Sequence, residues 1–239
     1  MDRRTVIGAA LIAPVGATLA RMAEAEASPT IEQGIALASG YLNGTGDAHD
    51  LDLAETIIAR HLRDDPSVDA WYGTGFVHRA RGRHEAALAA FYEAARFDPD
   101  GYKAQGQIGM SLVNIGNLES GGKALTQSLL TADPQRAGLY AFNLGRIEFF
   151  QRRYAGASWW LWRAIKKRPE LDFIRAYLAA SIELDGGDRY IARSVLPAGL
   201  TNARLVTDQS RNPTGCVMMG DARGRLYDSL LRLGVPADV

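Results

Sequence analysis

Four prolines recur at nearly constant spacing through the middle of this 239-residue chain. Asp65-Pro66, Asp98-Pro99, Asp133-Pro134 and Arg168-Pro169 lie 33, 35 and 35 residues apart, and each pair follows a stretch with helical apolar spacing. Proline ends one helix or begins the next because its ring fixes φ and removes the N–H donor. A repeat of this length is a unit that must stack on copies of itself to bury its apolar face.

The stretch from Trp71 to Pro99 shows the pattern within one unit. It reads as two short amphipathic helices, joined by a glycine-containing turn and ended by Asp-Pro. Gly75 lies where the two backbones must approach closely, and Phe91 fills the space on the second helix. Small residues return at the same place in later units: Gly109, Gly145 and Ala179. Several units in register, with no strand-like stretch between them, predict an all-α fold.

This pattern resembles the tetratricopeptide repeat, whose signature W-x2-L-G-x2-Y…A-x3-F…P has a 34-residue period. The matching residues of the clearest unit are Trp71, Gly75, Ala87, Phe91 and Pro99, with Thr74 and His78 in place of Leu and Tyr. The resemblance covers about residues 31–198. It implies a tetratricopeptide-type helix-pair solenoid of about four to five units.

The sequence predicts three parts. Residues 1–27 form a signal peptide, residues 28–198 the helical repeat domain, and residues 199–239 a link and a C-terminal capping helix. Asp221 is placed to begin that helix, and Gly234 with Pro236 ends it. A solenoid needs such an element because its last unit has an apolar face without a neighbour.

The N-terminus has the pattern of a bacterial export signal. Arg3 and Arg4 precede an uncharged apolar stretch over residues 5–20, and a small-residue cleavage site follows at Ala27. The paired arginines resemble the twin-arginine class of signal. We expect a periplasmic or secreted protein whose mature chain does not span the membrane. Two alternatives stay open, a plain secretory signal and an uncleaved membrane anchor.

Charge and composition narrow the classes of partner. Lys plus Arg and Asp plus Glu both total 27, which argues against nucleic acid as the main partner because phosphate binding needs a basic excess. The single cysteine, Cys216, cannot form an internal disulfide and supplies no zinc cluster. The sequence therefore predicts neither a metal nor a cofactor.

Candidate catalytic groups are few. His78 and His84 flank a turn and have the chemistry of metal ligands, but histidines in such places more often serve packing or the surface. Cys216 lacks a histidine nearby in the sequence to activate it as a nucleophile. The stretch from Gly116 to Lys123 is one residue too long for a phosphate-binding loop and follows no strand. We therefore predict that the protein is not an enzyme.

Three of the four tryptophans lie in one helical turn, at Trp159, Trp160 and Trp162. Trp159 and Trp162 share a face of the helix, whereas Trp160 points elsewhere. Two interpretations stay open: the rings pack between helices, or they form an exposed aromatic surface for a partner.

The resemblance also implies where a partner binds, because the first helix of each tetratricopeptide pair lines the concave groove. Alignment of the units places the following residues in that groove: Tyr72, Phe76, Arg79, Lys103, Gln107, Met110, Asn114, Phe142, Asn143, Arg146, Phe149 and Tyr177. Asparagine amides can hold an extended peptide backbone through one donor and one acceptor. Arg79 and Arg146 can bind a carboxylate.

The sequence thus predicts a non-catalytic scaffold or adaptor that binds a peptide or protein in the concave groove. Two other functions stay open. One is an envelope-assembly or carbohydrate-binding factor that uses the tryptophans, and the other is an accessory subunit of an exported enzyme. Neither the identity of the partner nor the oligomeric state can be predicted from these patterns.

Overall fold

In the computed structural model of the protein, the described residues are 29–42, 45–99, 101–198, 200, 203 and 221–237. They form helices and no strands, which confirms the predicted all-α class. The helices are α1 Ile31–Leu42, α2 Ala48–Asp64, α3 Val68–Ala80, α4 His84–Phe97, α5 Tyr102–Asn114, α6 Leu118–Leu129, α7 Pro134–Phe150, α8 Tyr154–Lys167, α9 Asp172–Leu184, α10 Arg189–Ser194 and α11 Ala222–Arg232. The predicted signal peptide and Cys216 lie outside the described residues.

Consecutive helices pack as pairs, and neighbouring pairs pack on one another. The pairs are α1 with α2, α3 with α4, α5 with α6, α7 with α8, and α9 with α10. This arrangement confirms the predicted helix-pair solenoid, and the number of pairs agrees with the predicted number of units. Within the described residues, no helix combines the length and the apolar character needed to cross a bilayer.

The recurrent prolines mark the boundaries between pairs. Pro66, Pro99 and Pro169 each follow the C-terminal cap of a second helix, whereas Pro134 occupies the first turn of α7. Asp133 caps α7, since its Oδ1 accepts hydrogen bonds from the backbone N–H groups of Gln135 and Arg136, each 3.0 Å long. A proline at this place costs the helix nothing because its missing N–H would have had no helical acceptor.

The turns inside the four pairs from α3–α4 to α9–α10 each contain a left-handed residue. Gly82, Gly116 and Gly186 have φ values of 72°, 93° and 79° at equivalent places, and Arg152 fills that place in the α7–α8 turn with φ 61°. Glycine adopts this conformation without steric cost, whereas arginine does not. The same turn geometry therefore persists in a unit whose sequence has lost the glycine.

Small residues set the distance between paired helices, as predicted. A β-carbon on Gly75 would lie 2.6 Å from Cδ1 of Phe91, and one on Gly145 would lie 2.8 Å from Cγ of Leu161. Both large side chains are fully buried. The glycine of one helix and the large residue of the next thus form a complementary contact that recurs along the stack.

The C-terminal helix α11 packs against α9. Leu226 and Leu230 of α11 are fully buried in an apolar cluster that also contains side chains of α7, α8 and α9. Arg225 fixes the helix further, because its Nη2 donates hydrogen bonds of 3.2 and 3.3 Å to the carbonyls of Phe149 and Phe150 at the end of α7. The capping helix therefore covers part of two units.

Candidate functional site

The first helices of successive pairs enclose a cavity of about 490 Å³. Its wall comes from α1, α3, α5 and α7 and from the segment that leads into α9. No residue of a second helix lies in that wall. This arrangement agrees with the geometry that the resemblance implies, in which the first helix of each pair lines the concave side.

Eight of the twelve predicted groove residues line this cavity: Tyr72, Phe76, Arg79, Gln107, Met110, Asn114, Phe142 and Asn143. The remaining four do not. Lys103 is exposed on α5, and its side chain lies outside the wall. Arg146, Phe149 and Tyr177 are buried, with 0%, 0% and 2% of their surface exposed.

Phe149 and Tyr177 are buried in the core and do not line the cavity. Their rings lie 5.3 Å apart in an edge-to-face pair, and both belong to the apolar cluster that contains Leu226 of α11. Arg225 of α11 lies 5.8 Å from the Phe149 ring. The chain's own capping helix thus contributes to the core around the residues that alignment assigned to the end of the groove.

The wall of the cavity contains an ordered polar chain between α3 and α5. Arg79 Nη1 donates a 2.6 Å hydrogen bond to Oε1 of Gln107, and Gln107 Nε2 donates a 3.3 Å bond to the hydroxyl of Tyr72. The Arg79 guanidinium also lies 4.7 Å from the Phe76 ring centroid. Burial raises the pKa of the Tyr72 hydroxyl, which therefore stays protonated at neutral pH. These bonds hold the arginine in one orientation.

A second polar group lies below the cavity between α5 and α7. Arg146 Nη1 donates a 2.7 Å bond to Oδ1 of Asn143 and a 3.3 Å bond to Oδ1 of Asn114. Asn143 Nδ2 in turn donates to the Leu139 carbonyl at 2.8 Å. Arg146 therefore orients two asparagines of the wall and is itself fully buried.

The rim at the start of α7 is charged, and the alignment did not identify it. Arg136 Nη1 forms a 2.6 Å ion pair with Oδ2 of Asp133, and both residues line the cavity. Hydrogen bonds from the backbone and guanidinium of Arg136 lower the pKa of Asp133. Arg168 adds a further cation to the wall. With Arg79, the wall has three arginines and one aspartate; Arg136 is paired with that aspartate, and Arg168 is paired with Glu170.

Residues 46–102 match the family model described as tetratricopeptide repeat. They span α2 to α4, and the same helix-pair geometry continues through the stack. The matched segment and the repeated helix pairs are thus similar to the tetratricopeptide-repeat family. A search among curated proteins finds no significant match to it.

The repeat fold is also seen in a solved structure from the functional characterisation of Pseudomonas aeruginosa PilF. The two chains are 18% identical, the match covers 85% of this chain and 90% of that one, and the TM-score is 0.60. At this identity the likeness shows the fold alone. The tetratricopeptide repeats and this fold support a protein-interaction scaffold in general terms.

The tryptophans of α8 divide between core and surface. Trp160 packs against the apolar clusters, whereas Trp159 and Trp162 are 53% and 42% exposed. Trp160 thus packs between helices, whereas Trp159 and Trp162 form an exposed aromatic surface. The candidate histidines His78 and His84 belong to no cluster of three or more potential metal ligands within the described residues.

Proposed function

We propose that this protein is a non-catalytic adaptor that binds a short peptide segment of a partner protein in the cavity between its first helices. The observation that carries the proposal is the composition of that wall. Eight residues that the repeat pattern assigns to the groove meet there, although they come from three separate units. Protein recognition by tetratricopeptide repeats supplies the general expectation.

The size and chemistry of the cavity limit what it can hold. A volume of about 490 Å³ lies within the ordinary range for small-ligand pockets and suits a few side chains of an extended segment. Met110 and Phe142 offer apolar contacts, while Arg79 is already ordered by Gln107. Pre-ordered side chains lose little conformational freedom on binding. We therefore expect a segment that combines an apolar residue with a carboxylate.

Peptides selected from a random display library against the full chain test this proposal. Leu139 lines the cavity and is partly exposed, so Leu139→Trp fills the space without removing a buried contact. We expect selected peptides to bind this variant at least about tenfold more weakly, measured by fluorescence anisotropy.

The matched control is Leu130→Trp, which adds the same ring at a residue that is 75% exposed and outside the cavity. The control should bind the peptides as the unaltered protein does. Circular dichroism verifies that both variants keep their helical content. Peptides that bind Leu139→Trp with unchanged affinity would show that the cavity is not the binding site.

A further inference from the structure

The outer face of α8 presents large aromatic rings to solvent. Trp159 and Trp162 are three residues apart, so they share one side of the helix, and both are substantially exposed. The Arg163 guanidinium lies 4.5 Å from the centroid of the Trp159 ring and covers it only in part. Tryptophan side chains are on average largely buried in folded proteins, so two rings as exposed as these on one face of a helix call for an explanation.

The same face is strongly cationic. Arg163, Lys166 and Lys167 are exposed, and α8 contains no acidic residue. Among the described residues, no carboxylate forms an ion pair with any of these three side chains. An exposed surface that combines unpaired cations with tryptophan differs from an ordinary solvated helix face, in which charges of both signs alternate.

The net charge of the second helices changes from negative to positive along the stack. Helix α2 has four acidic and two basic residues, α4 has two acidic and one basic, and α6 has one of each. Helix α8 has three basic and no acidic residues, and α10 has two basic and none acidic. The chain is neutral as a whole, yet the second helices of the last two pairs have more basic than acidic residues.

Helix α10 also combines exposed apolar side chains with cations, although Arg189 forms a 4.0 Å ion pair with Glu183 of α9. Tyr190 and Ile191 are 81% and 51% exposed and lie between the exposed cations Arg189 and Arg193. Both α8 and α10 pack against α9. By contrast, α4 also exposes aromatic rings, but it does so beside Glu85 and Glu93. The combination of aromatic rings with excess positive charge is therefore a property of α8 and α10 among the second helices.

We propose that the exposed faces of α8 and α10 dock on the surface of an anionic lipid membrane. Tryptophan and tyrosine favour the boundary between headgroups and acyl chains because they have an apolar body and a polar edge. Lysine and arginine beside them are attracted to anionic headgroups. The apolar side chain of Ile191 can be buried at the same boundary, whereas a water-soluble polyanion would give it no apolar environment.

This attachment leaves the cavity accessible. Its wall comes from first helices and the links before them, and neither α8 nor α10 supplies a residue to it. The proposal is thus independent of peptide binding, and a failure of either leaves the other standing.

Co-sedimentation of the full chain with vesicles tests the proposal. We expect binding to vesicles of phosphatidylglycerol mixed with phosphatidylcholine, weak binding to phosphatidylcholine alone, and release by salt. The triple variant Arg163→Glu, Lys166→Glu and Lys167→Glu should weaken binding on the order of 100-fold or more, since each cation near an anionic surface contributes roughly 1 kcal/mol. Trp159→Ala with Trp162→Ala should also weaken it, and brominated lipid should quench tryptophan fluorescence only before this substitution.

The matched control carries Tyr92→Ala and Arg96→Glu on α4, which remove an exposed aromatic ring and an exposed cation outside the proposed surface. It should bind vesicles like the unaltered chain. Equal binding by the α8 variants would overturn the proposal and would assign lipid binding to another segment. Absence of vesicle binding would also overturn it, as would binding of soluble glycans or acidic peptides by this face without any binding of phosphatidylglycerol vesicles.

Discussion

Gly75 and Phe91 fix how closely α3 and α4 approach each other. A β-carbon on residue 75 would lie 2.6 Å from both Cδ1 and Cζ of the Phe91 ring, closer than atoms can pack. The ring is fully buried and makes edge-to-face contacts with Tyr72 and Phe76, with centroids 5.8 and 6.0 Å apart. It therefore has little freedom to move aside, and any side chain at residue 75 must separate the helices.

We expect Gly75→Ala to lower the free energy of unfolding by about 1–3 kcal/mol, because overpacking outweighs the gain in helix propensity. Gly122→Ala in α6 is the control. Its β-carbon would lie 3.5 Å from Cδ1 of Ile147, an ordinary contact, so this variant should gain up to about 1 kcal/mol. Urea denaturation measures both. Equal effects of the two substitutions would mean that the Phe91 ring does not limit helix approach.

Some single-residue roles were predictable and others were not. The spacing glycines could be identified because close backbone approach demands a small residue in every unit, whatever surrounds it. Arg146 could not, since its burial and its bonds to Asn114 and Asn143 depend on where neighbouring helices place their side chains. The spacing of residues in a sequence indicates which side of a helix faces its neighbours. It does not indicate how deeply a long side chain is buried.

Helix α11 is the element that departs most from the repeat. It docks through Leu226 and Leu230 onto a core that contains Phe149 and Tyr177. Arg232 Nε adds a 2.6 Å ion pair with Oε1 of Glu183 at the end of α9. The arginine lowers the pKa of Glu183, which keeps the carboxylate charged. The helix thus has an apolar contact surface with a polar contact at its edge.

Leu226→Ala should destabilise the C-terminal pairs by about 2–5 kcal/mol, since it removes a fully buried side chain. Hydrogen exchange should rise in α9 as well as in α11, because the two helices share one core. Leu231→Ala on the same helix removes a side chain that is 36% exposed and should cost much less. If exchange in α9 is unchanged by Leu226→Ala, then α11 does not stabilise the last units.

Asp221, Gly234 and Pro236 predict the existence of α11, and the solenoid pattern predicts that it covers the last unit. Neither predicts which side chains the helix contacts. The period that aligns the other helices stops before residue 199, so nothing in the spacing relates α11 to Phe149 or Tyr177. Docking depends on the shape of the contact surface and on contacts such as that of Arg225 with the Phe149 carbonyl. These groups come together only in the folded chain.

At the scale of the whole molecule, zero net charge conceals an uneven distribution. Acidic second helices lie at one end of the stack and basic ones at the other. The apolar core is also divided, since its buried residues form three clusters that follow one another along the chain. Each region of the solenoid depends on its neighbours and little on distant parts.

Stability should fall as the pH decreases from 7 towards 5. Burial lowers the pKa of both His78 and His84 below the ordinary value of 6.5. Below that value the unfolded chain binds more protons than the folded one, so protonation favours unfolding. The contribution of the two neutral histidines to stability is complete above pH 6.5. It is lost as the pH falls from 6.5 through the lowered pKa values of the folded state.

Chemical denaturation at a series of pH values checks this expectation. The double variant His78→Gln with His84→Gln should show a flatter dependence between pH 7 and 5, because neither side chain titrates. A free energy of unfolding that rises for the unaltered protein as the pH falls in this range would contradict the assigned direction of both shifts.

The alternation of first and second helices has one more consequence. The inner wall and the outer surface are encoded by interleaved segments of about a dozen residues each, and no segment serves both. Substitutions that alter what the cavity accepts need not disturb the outside, and the reverse also holds. Over evolutionary time, such a chain can change the lining of its cavity and its outer surface independently, one helix at a time.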